Sequence, residues 1–70
     1  MALRKIYEAV NLKTGRAVRV YRDAEWQEFR VRHYLADDIG LLHHQAEADY
    51  HDDDKATAMC HASTWVNGGI

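Results

Sequence analysis

Residues 17–36 read AVRVYRDAEWQEFRVRHYLA, and this stretch predicts a β-hairpin. Its two halves, Ala17 to Arg22 and Gln27 to Ala36, alternate apolar and polar side chains with the period of two that marks a strand. Between them, Asp23-Ala24-Glu25-Trp26 separates the alternating runs as a turn. Strands joined by a short turn pair antiparallel, so the stretch indicates an antiparallel sheet.

Two further alternating runs flank the hairpin. Lys5 to Leu12 precedes it, and the glycine of Lys13-Thr14-Gly15 provides the positive φ that the connecting turn needs. Leu41 to His51 follows it, after the turn segment Asp37-Asp38-Ile39-Gly40. Together the four runs predict a four-stranded antiparallel β-meander.

The last segment changes from the strand period to the helix period. Asp52-Asp53-Asp54 offers N-caps, Ala56 to Val66 reads as helix, and Asn67-Gly68-Gly69 ends it. Helical spacing places Met59, Ala62, Ser63 and Val66 toward the sheet, and Thr57, His61 and Thr64 toward water. The prediction is one α+β domain over residues 1–70, in the order ββββα, with the C-terminal helix packed on one face of the sheet.

Composition limits the classes of protein to which the chain can belong. Charged residues make up 29% and hydrophobic residues 47%, which indicates a globular domain rather than a disordered one. Cys60 is the only cysteine, so a disulfide within one chain is excluded and a reducing compartment is favoured. No apolar run is long enough for a membrane span or a signal peptide. We therefore expect a cytoplasmic protein with no membrane partner.

The net charge of −2 hides an uneven distribution. The half from Met1 to Leu35 has eight Lys and Arg against four Asp and Glu, and the half from Ala36 to Ile70 has one against seven. Packing in so small a domain brings these halves together, so we expect much of the asymmetry to cancel across strand pairs. The remainder is available to steer a charged partner.

Matching the apolar faces of neighbouring strands predicts a register for each pair. The opposed residues are Val31 with Ala46, Leu35 with Leu42, His33 with His44, Val20 with Phe29, and Val10 with Val18. This register gives one face of the sheet to the helix and leaves the other face open. It also puts Glu8 on the helix side, where a carboxylate is out of place.

The open outer face is the candidate interaction surface, and its candidate residues are Tyr7, Arg19, Tyr21, Arg30, Arg32, Tyr34 and His43. Tyrosine and arginine are enriched in protein interfaces, which favours a protein partner or a second copy of the chain in a homodimer. Acidic side chains on the same face, with Arg30 opposite Glu47, leave a solvated charge ladder as another interpretation. The third interpretation is a stacking platform for single-stranded nucleic acid. It is less favoured, because these carboxylates reduce the positive charge that binding of phosphates requires.

Five histidines in a chain of this length raise the question of a metal site. His33, His44, Cys60 and His61 are possible zinc ligands by type, but no C-x-x-C or H-x-x-x-H motif supports them. We expect ordinary half-buried polar residues, and therefore no metal and no cofactor. The alternative is a cross-strand His33–His44 pair that binds a metal together with a third ligand. A His33–His44 pair on the inner face would make folding sensitive to mild acid, because charging both rings is unfavourable.

The acidic run from Asp49 to Asp54 resembles a calcium loop only superficially, because the glycine and the terminal glutamate of such loops are missing. Helix capping accounts for most of these carboxylates, and a negative patch that docks on a basic partner is the alternative. Cys60 and His61 are adjacent, but neighbours on a helix point about 100° apart and do not meet. Without a supported nucleophile and base, we expect a protein that is not an enzyme.

Trp26 lies in the predicted turn between the second and third strands. There it is either a cap on the core or an exposed anchor for binding, and we favour the cap.

Two stretches carry a resemblance: residues 20–31, and Ala48-Asp49-Tyr50 followed by His51-Asp52-Asp53-Asp54-Lys55-Ala56. They resemble short bacterial and phage proteins of unknown function, in which a strand ending in Ala-Asp-Tyr meets an Asp-Asp-Lys helix start. The resemblance implies a bacterial or mobile-element origin and transfers no site residues. Small phage proteins of this kind often bind a host protein, which adds to the expectation of a protein-binding module.

Overall fold

A computed structural model describes residues 3–35 and 48–69 of the chain. Four antiparallel strands form one sheet in the order β1-β2-β3-β4, and one helix packs on it. The elements are β1 (Leu3–Asn11), β2 (Arg16–Asp23), β3 (Glu28–Leu35), β4 (Ala48–Asp52) and α1 (Lys55–Val66). The predicted ββββα fold is confirmed. The predicted turn at residues 37–40 and residues 41–47 of the predicted fourth strand lie outside the described residues.

The turn between β1 and β2 has the glycine conformation that the sequence predicted. Gly15 has a φ of 71°, and its backbone N–H donates to the Asn11 carbonyl over 2.9 Å. The Asn11 side chain accepts from the Lys13 N–H, so the turn is closed by both its backbone and its first side chain.

β1 has a β-bulge between Lys5 and Tyr7, and this bulge makes the predicted register of the strand wrong by one residue. Val10 lies opposite Ala17, and Ala9 lies opposite Val18. In a regular strand, residues three positions apart face opposite sides of the sheet. The extra residue at the bulge shifts this alternation, so both Ile6 and Ala9 pack toward the core. Glu8 consequently lies opposite Arg19 on the outer face, and its predicted position on the helix side is wrong.

The other two registers also differ from the predicted ones, but by even numbers of residues. Val20 lies opposite Val31 rather than Phe29, and Val31 lies opposite Tyr50 rather than Ala46. An even shift keeps every side chain on its predicted face, because side chains alternate with a period of two. The apolar pattern therefore determined the faces of β2 to β4 correctly and left their alignment along the strands undetermined.

The core is a cluster of small and β-branched residues between the sheet and α1. Its buried members are Val18, Val20, Val31, Ala58, Ala62 and Val66. The buried stripe of α1 is rotated from its predicted position, so that Ser63 is exposed and His61 is half-buried, where the sequence predicted the reverse. Alanines mark a helix face only weakly, which explains the error. Leu35, predicted on the inner face, is largely exposed.

Both ends of α1 are capped by side chains or glycine. The Asp54 carboxylate accepts from the Thr57 N–H over 2.9 Å and from the Thr57 hydroxyl, as an N-cap residue does. At the other end, Gly68 has a φ of 88°, and the backbone N–H groups of Gly68 and Gly69 donate to the carbonyls of Trp65 and Thr64. This is a Schellman motif, and it confirms the predicted end of the helix.

Replacing Ala62 by leucine tests whether the small helix residues set the distance between α1 and the sheet. Ala62 has no exposed surface, so the added atoms overpack the core and lower the free energy of unfolding by about 1–3 kcal/mol. Ala56→Leu, on the exposed side of the same helix, is the matched control and leaves the stability nearly unchanged. Urea denaturation of both variants measures the difference. Equal stabilities of the two would contradict this view of the core.

Candidate functional site

The outer face brings together most of the residues that the sequence predicted for interaction. Antiparallel register places Arg19 opposite Arg32 and Tyr21 opposite Arg30, and Tyr34 lies opposite Ala17 on the same face. Tyr7 lies instead opposite Val20, on the helix side, because of the bulge in β1. His43 lies outside the described residues. That this face binds a partner stays a prediction.

Charged and aromatic side chains pair with one another across this face. Arg19 Nε lies 2.6 Å from Glu8 Oε2, and this hydrogen bond is the main cause that lowers the pKa of the Glu8 carboxyl. The Arg32 guanidinium lies 5.0 Å above the Tyr21 ring, and that of Arg19 lies 5.6 Å from the Tyr34 ring. Tyr34 is itself buried, so its ring adds little surface for contact. The result is a ladder of paired groups rather than a set of free cations.

Asp23 is a buried carboxylate that joins this face to the turn between β2 and β3. It is only 6% exposed, and its Oδ1 accepts from the backbone N–H groups of Glu25 (3.0 Å) and Trp26 (3.2 Å). Its Oδ2 lies 3.3 Å from Arg30 Nε. A buried charge requires such compensation, so the turn, Asp23 and Arg30 form one connected unit.

The same chain of charges continues to the edge strand β4. The second side of the Arg30 guanidinium lies 3.2 Å from Glu28 Oε2, and Glu28 Oε1 lies 3.6 Å from His51 Nδ1. The predicted opposition of Arg30 and Glu47 is wrong, since Arg30 lies opposite His51. Arg30 nevertheless has carboxylate partners, as the charge-ladder interpretation expected.

Trp26 is 70% exposed, so the favoured interpretation that it caps the core is wrong. The turn that carries it is held in place by Asp23 and ends in Gln27, which has a φ of 53°. Positive φ is uncommon for a residue with a side chain, and it persists where the surroundings fix the backbone. Trp26 is therefore a large apolar side chain presented to solvent on a constrained turn.

A second cluster, here called the histidine cluster, lies between α1 and the inner face of the sheet and consists of His33, Tyr50, His61 and Trp65. His33 Nε2 and His61 Nε2 are 2.9 Å apart. The Tyr50 and His61 rings are stacked parallel with their centroids 3.9 Å apart, and the Trp65 and His33 rings are T-shaped with centroids 4.7 Å apart. Trp65 Nε1 donates to the Ala17 carbonyl, which fixes the indole against β2.

Sequence reasoning missed this pairing of His33 with His61. It paired His33 with His44, which is wrong because His33 lies opposite Ala48, and it turned His61 toward water. The only signal in the sequence was the helical spacing, in which His61 is four residues before Trp65 and one residue before the buried Ala62. A stripe drawn through Ala58, Ala62 and Trp65 would have brought His61 closer to the sheet.

Electrostatics favour the neutral form of His61 within the histidine cluster. Burial lowers the pKa of the His61 imidazole, and the neighbouring His33 lowers it further. One ring nitrogen of the pair donates a proton and the other accepts it, which requires that both rings are not protonated together. The Tyr50 hydroxyl donates to Asp52 Oδ2 over 2.9 Å, and this bond raises the pKa of the phenol.

Within residues 3–35 and 48–69, no three or more His, Cys, Asp or Glu side chains come together as a metal site would require. Cys60 is exposed. No helix in the described part of the chain is long and apolar enough to cross a membrane.

Comparison of the chain with known protein families, with curated protein sequences and with solved structures finds no match.

Lowering the pH should destabilise the fold through His61. The folded state holds the pKa of His61 below its unfolded value of about 6.5, so the unfolded chain takes up a proton first. Stability is therefore lost as the pH falls through about 6.5, and this loss ends below the folded pKa. His61→Gln removes the effect, whereas His51→Gln, at an exposed histidine, retains it. Melting temperatures measured from about pH 7.5 to about pH 5.5 test this prediction. If the melting temperatures of the wild-type and His61→Gln proteins fall in parallel with pH, the prediction is refuted.

Proposed function

We propose that the chain is a non-catalytic protein-binding module that uses Trp26 as its anchor and the adjoining outer face as the surround. The observation that carries the proposal is the exposure of Trp26 on a turn that is held by a buried carboxylate. Tryptophan, tyrosine and arginine dominate the binding energy of protein interfaces, and all three occur together here.

The constrained turn reduces the entropy that binding would cost. Asp23 fixes two backbone N–H groups of the turn, so the backbone around Trp26 is already ordered before a partner arrives. Preorganisation of this kind favours affinity, because fewer degrees of freedom are lost on association. An exposed indole with no such support would be a weaker anchor.

The paired charges of the outer face supply orientation and specificity rather than most of the affinity. Arg30 is bound to Asp23, which also holds the Trp26 turn, and to Glu28, while Arg19 is bound to Glu8 further along β2. These groups present a fixed pattern of charge on the outer face. Complementary charges at the rim of an interface steer association and select partners. The partner that fits has an apolar pocket for the indole, surrounded by polar and charged groups.

The partner is a host protein, if the resemblance to short bacterial and phage proteins reflects a shared origin, or a second copy of this chain. Single-stranded nucleic acid is the alternative function. The pairing of Arg19 and Arg30 with carboxylates supports it less well, because phosphate contacts need uncompensated cations.

Trp26→Ala should weaken partner binding by about 2 kcal/mol or more, which is roughly 30-fold, while the melting temperature stays unchanged. Leu12→Ala is the matched control, since Leu12 is an exposed apolar residue in the other described turn. The tagged chain is used to capture proteins from a bacterial lysate. Calorimetry then measures the affinity of each variant for the captured protein, and light scattering measures self-association. Equal binding by wild type and Trp26→Ala would refute the proposal.

The nucleic-acid alternative has a test of its own. Fluorescence anisotropy of a labelled single-stranded oligonucleotide should show no binding at low salt if the protein-binding proposal holds. Binding that weakens with salt, with a slope corresponding to a few phosphate contacts, would favour the alternative.

A further inference from the structure

We infer that Arg4 and Arg22, beside the turn that carries Trp26, bind an acidic side chain of the protein partner. The two arginines lie directly opposite each other in β1 and β2. Within residues 3–35 and 48–69, neither of them forms an ion pair with a carboxylate. Their role rests on the proposed function, and it names the chemistry that the partner presents near its pocket for the indole.

A second pair of opposed arginines in the same sheet shows what Arg4 and Arg22 lack. Like charges directly opposite each other in an antiparallel pair repel. Arg19 lies opposite Arg32, and there the carboxylate of Glu8 lies 2.6 Å from Arg19 Nε. No carboxylate in the described part of the chain does the same for Arg4 and Arg22. A carboxylate from outside therefore relieves a repulsion that is present in the free chain.

The guanidinium of Arg22 is already oriented. Its Nη1 donates to the Asp23 carbonyl over 2.9 Å, and its plane lies 5.1 Å from the Phe29 ring. A guanidinium has five N–H donors, and this bond uses one of them, so the others remain for a ligand. Paired N–H groups of arginine match the two oxygens of a carboxylate, which makes the contact directional as well as electrostatic.

The surroundings of the pair suit an acidic side chain of a protein. Leu3, Arg4, Arg22 and Ala24 line a surface groove. Ala24 belongs to the turn that carries Trp26, so the groove and the indole share one end of the sheet. Leu3 and Ala24 offer apolar contact to the methylene groups of an aspartate or glutamate. Two cations suit one carboxylate, whereas a nucleic-acid backbone needs a longer row of uncompensated cations.

The test uses a hexaglutamate peptide as the probe and NMR of the ¹⁵N-labelled chain as the measurement. Because the chain has a net charge of −2, it does not attract anions in general, so binding reports a local site. The signals of Arg4, Arg22 and Ala24 should shift saturably at low salt. Sodium chloride should weaken the binding, and hexaglutamine should cause no shift.

Arg4→Gln and Arg22→Gln should each weaken hexaglutamate binding roughly fivefold, because each removes one of the two cations. Lys13→Gln is the matched control, since it makes the same change in net charge at an exposed residue of the other described turn. It should leave the affinity unchanged. Arg4 is exposed, so Arg4→Gln keeps the fold, which an unchanged fold in its NMR spectrum verifies.

Absence of saturable shifts at the groove, or equal affinities of Arg4→Gln and Lys13→Gln for hexaglutamate, would overturn the inference. Inorganic phosphate that binds at the arginine pair more tightly than hexaglutamate would also overturn it, because the site would then belong to a phosphate-bearing ligand.

Trp26→Ala distinguishes a failure of this inference from a failure of the proposed function. Hexaglutamate offers no pocket for an indole, so Trp26→Ala should bind the peptide as the wild type does. If the peptide does not bind but Trp26→Ala weakens partner binding, the acidic partner is refuted and the proposed function stands. If the peptide binds at Arg4 and Arg22 but partner binding does not need Trp26, the proposed function is refuted and the acid-binding pair stands.

Discussion

Close packing of a helix on the sheet is the constraint on which the rest of this structure depends. Ala58 and Ala62 have no exposed surface and lie against Val18, Val20 and Val31. Because the alanine side chains are short, the helix lies near enough for Trp65 to donate to a carbonyl of β2 and for His61 to reach His33. The same closeness lets Thr14, in the turn after β1, donate to the last helical carbonyl of Val66 over 2.8 Å. A domain of this size buries too little surface to tolerate much loosening of that contact.

The two faces of the sheet consequently have different chemistry. The inner face combines apolar residues with the rings of the histidine cluster, whereas the outer face balances guanidinium groups against carboxylates and tyrosine rings. Asp23 is the exception, since it is a buried charge and holds a turn as well as an arginine. Burying one polar group with three partners costs less than leaving the turn and Arg30 without support.

The sequence predicted what periodicity and turn chemistry encode. Gly15 and Gly68 ended their elements as expected, Asp54 capped the helix, and the faces of β2 and β3 followed from alternation. It did not predict the phase of β1, because a single unpaired residue at the bulge leaves no mark in a polar-apolar pattern. It also missed the pairing of His33 with His61, because such contacts depend on how far a helix of weakly amphipathic alanines is rotated. Exposure of Trp26 likewise depended on the backbone of one turn.

The bulge in β1 has a consequence for how copies of the chain meet. β1 is an edge strand of nine residues without proline, and a regular strand of that length offers unpaired backbone groups to any neighbouring strand. The extra residue interrupts the even spacing of those groups and increases the local twist, so a second flat strand cannot continue the ladder along the whole edge. The bulge thus makes β1 a poorer edge for pairing with a strand of another copy.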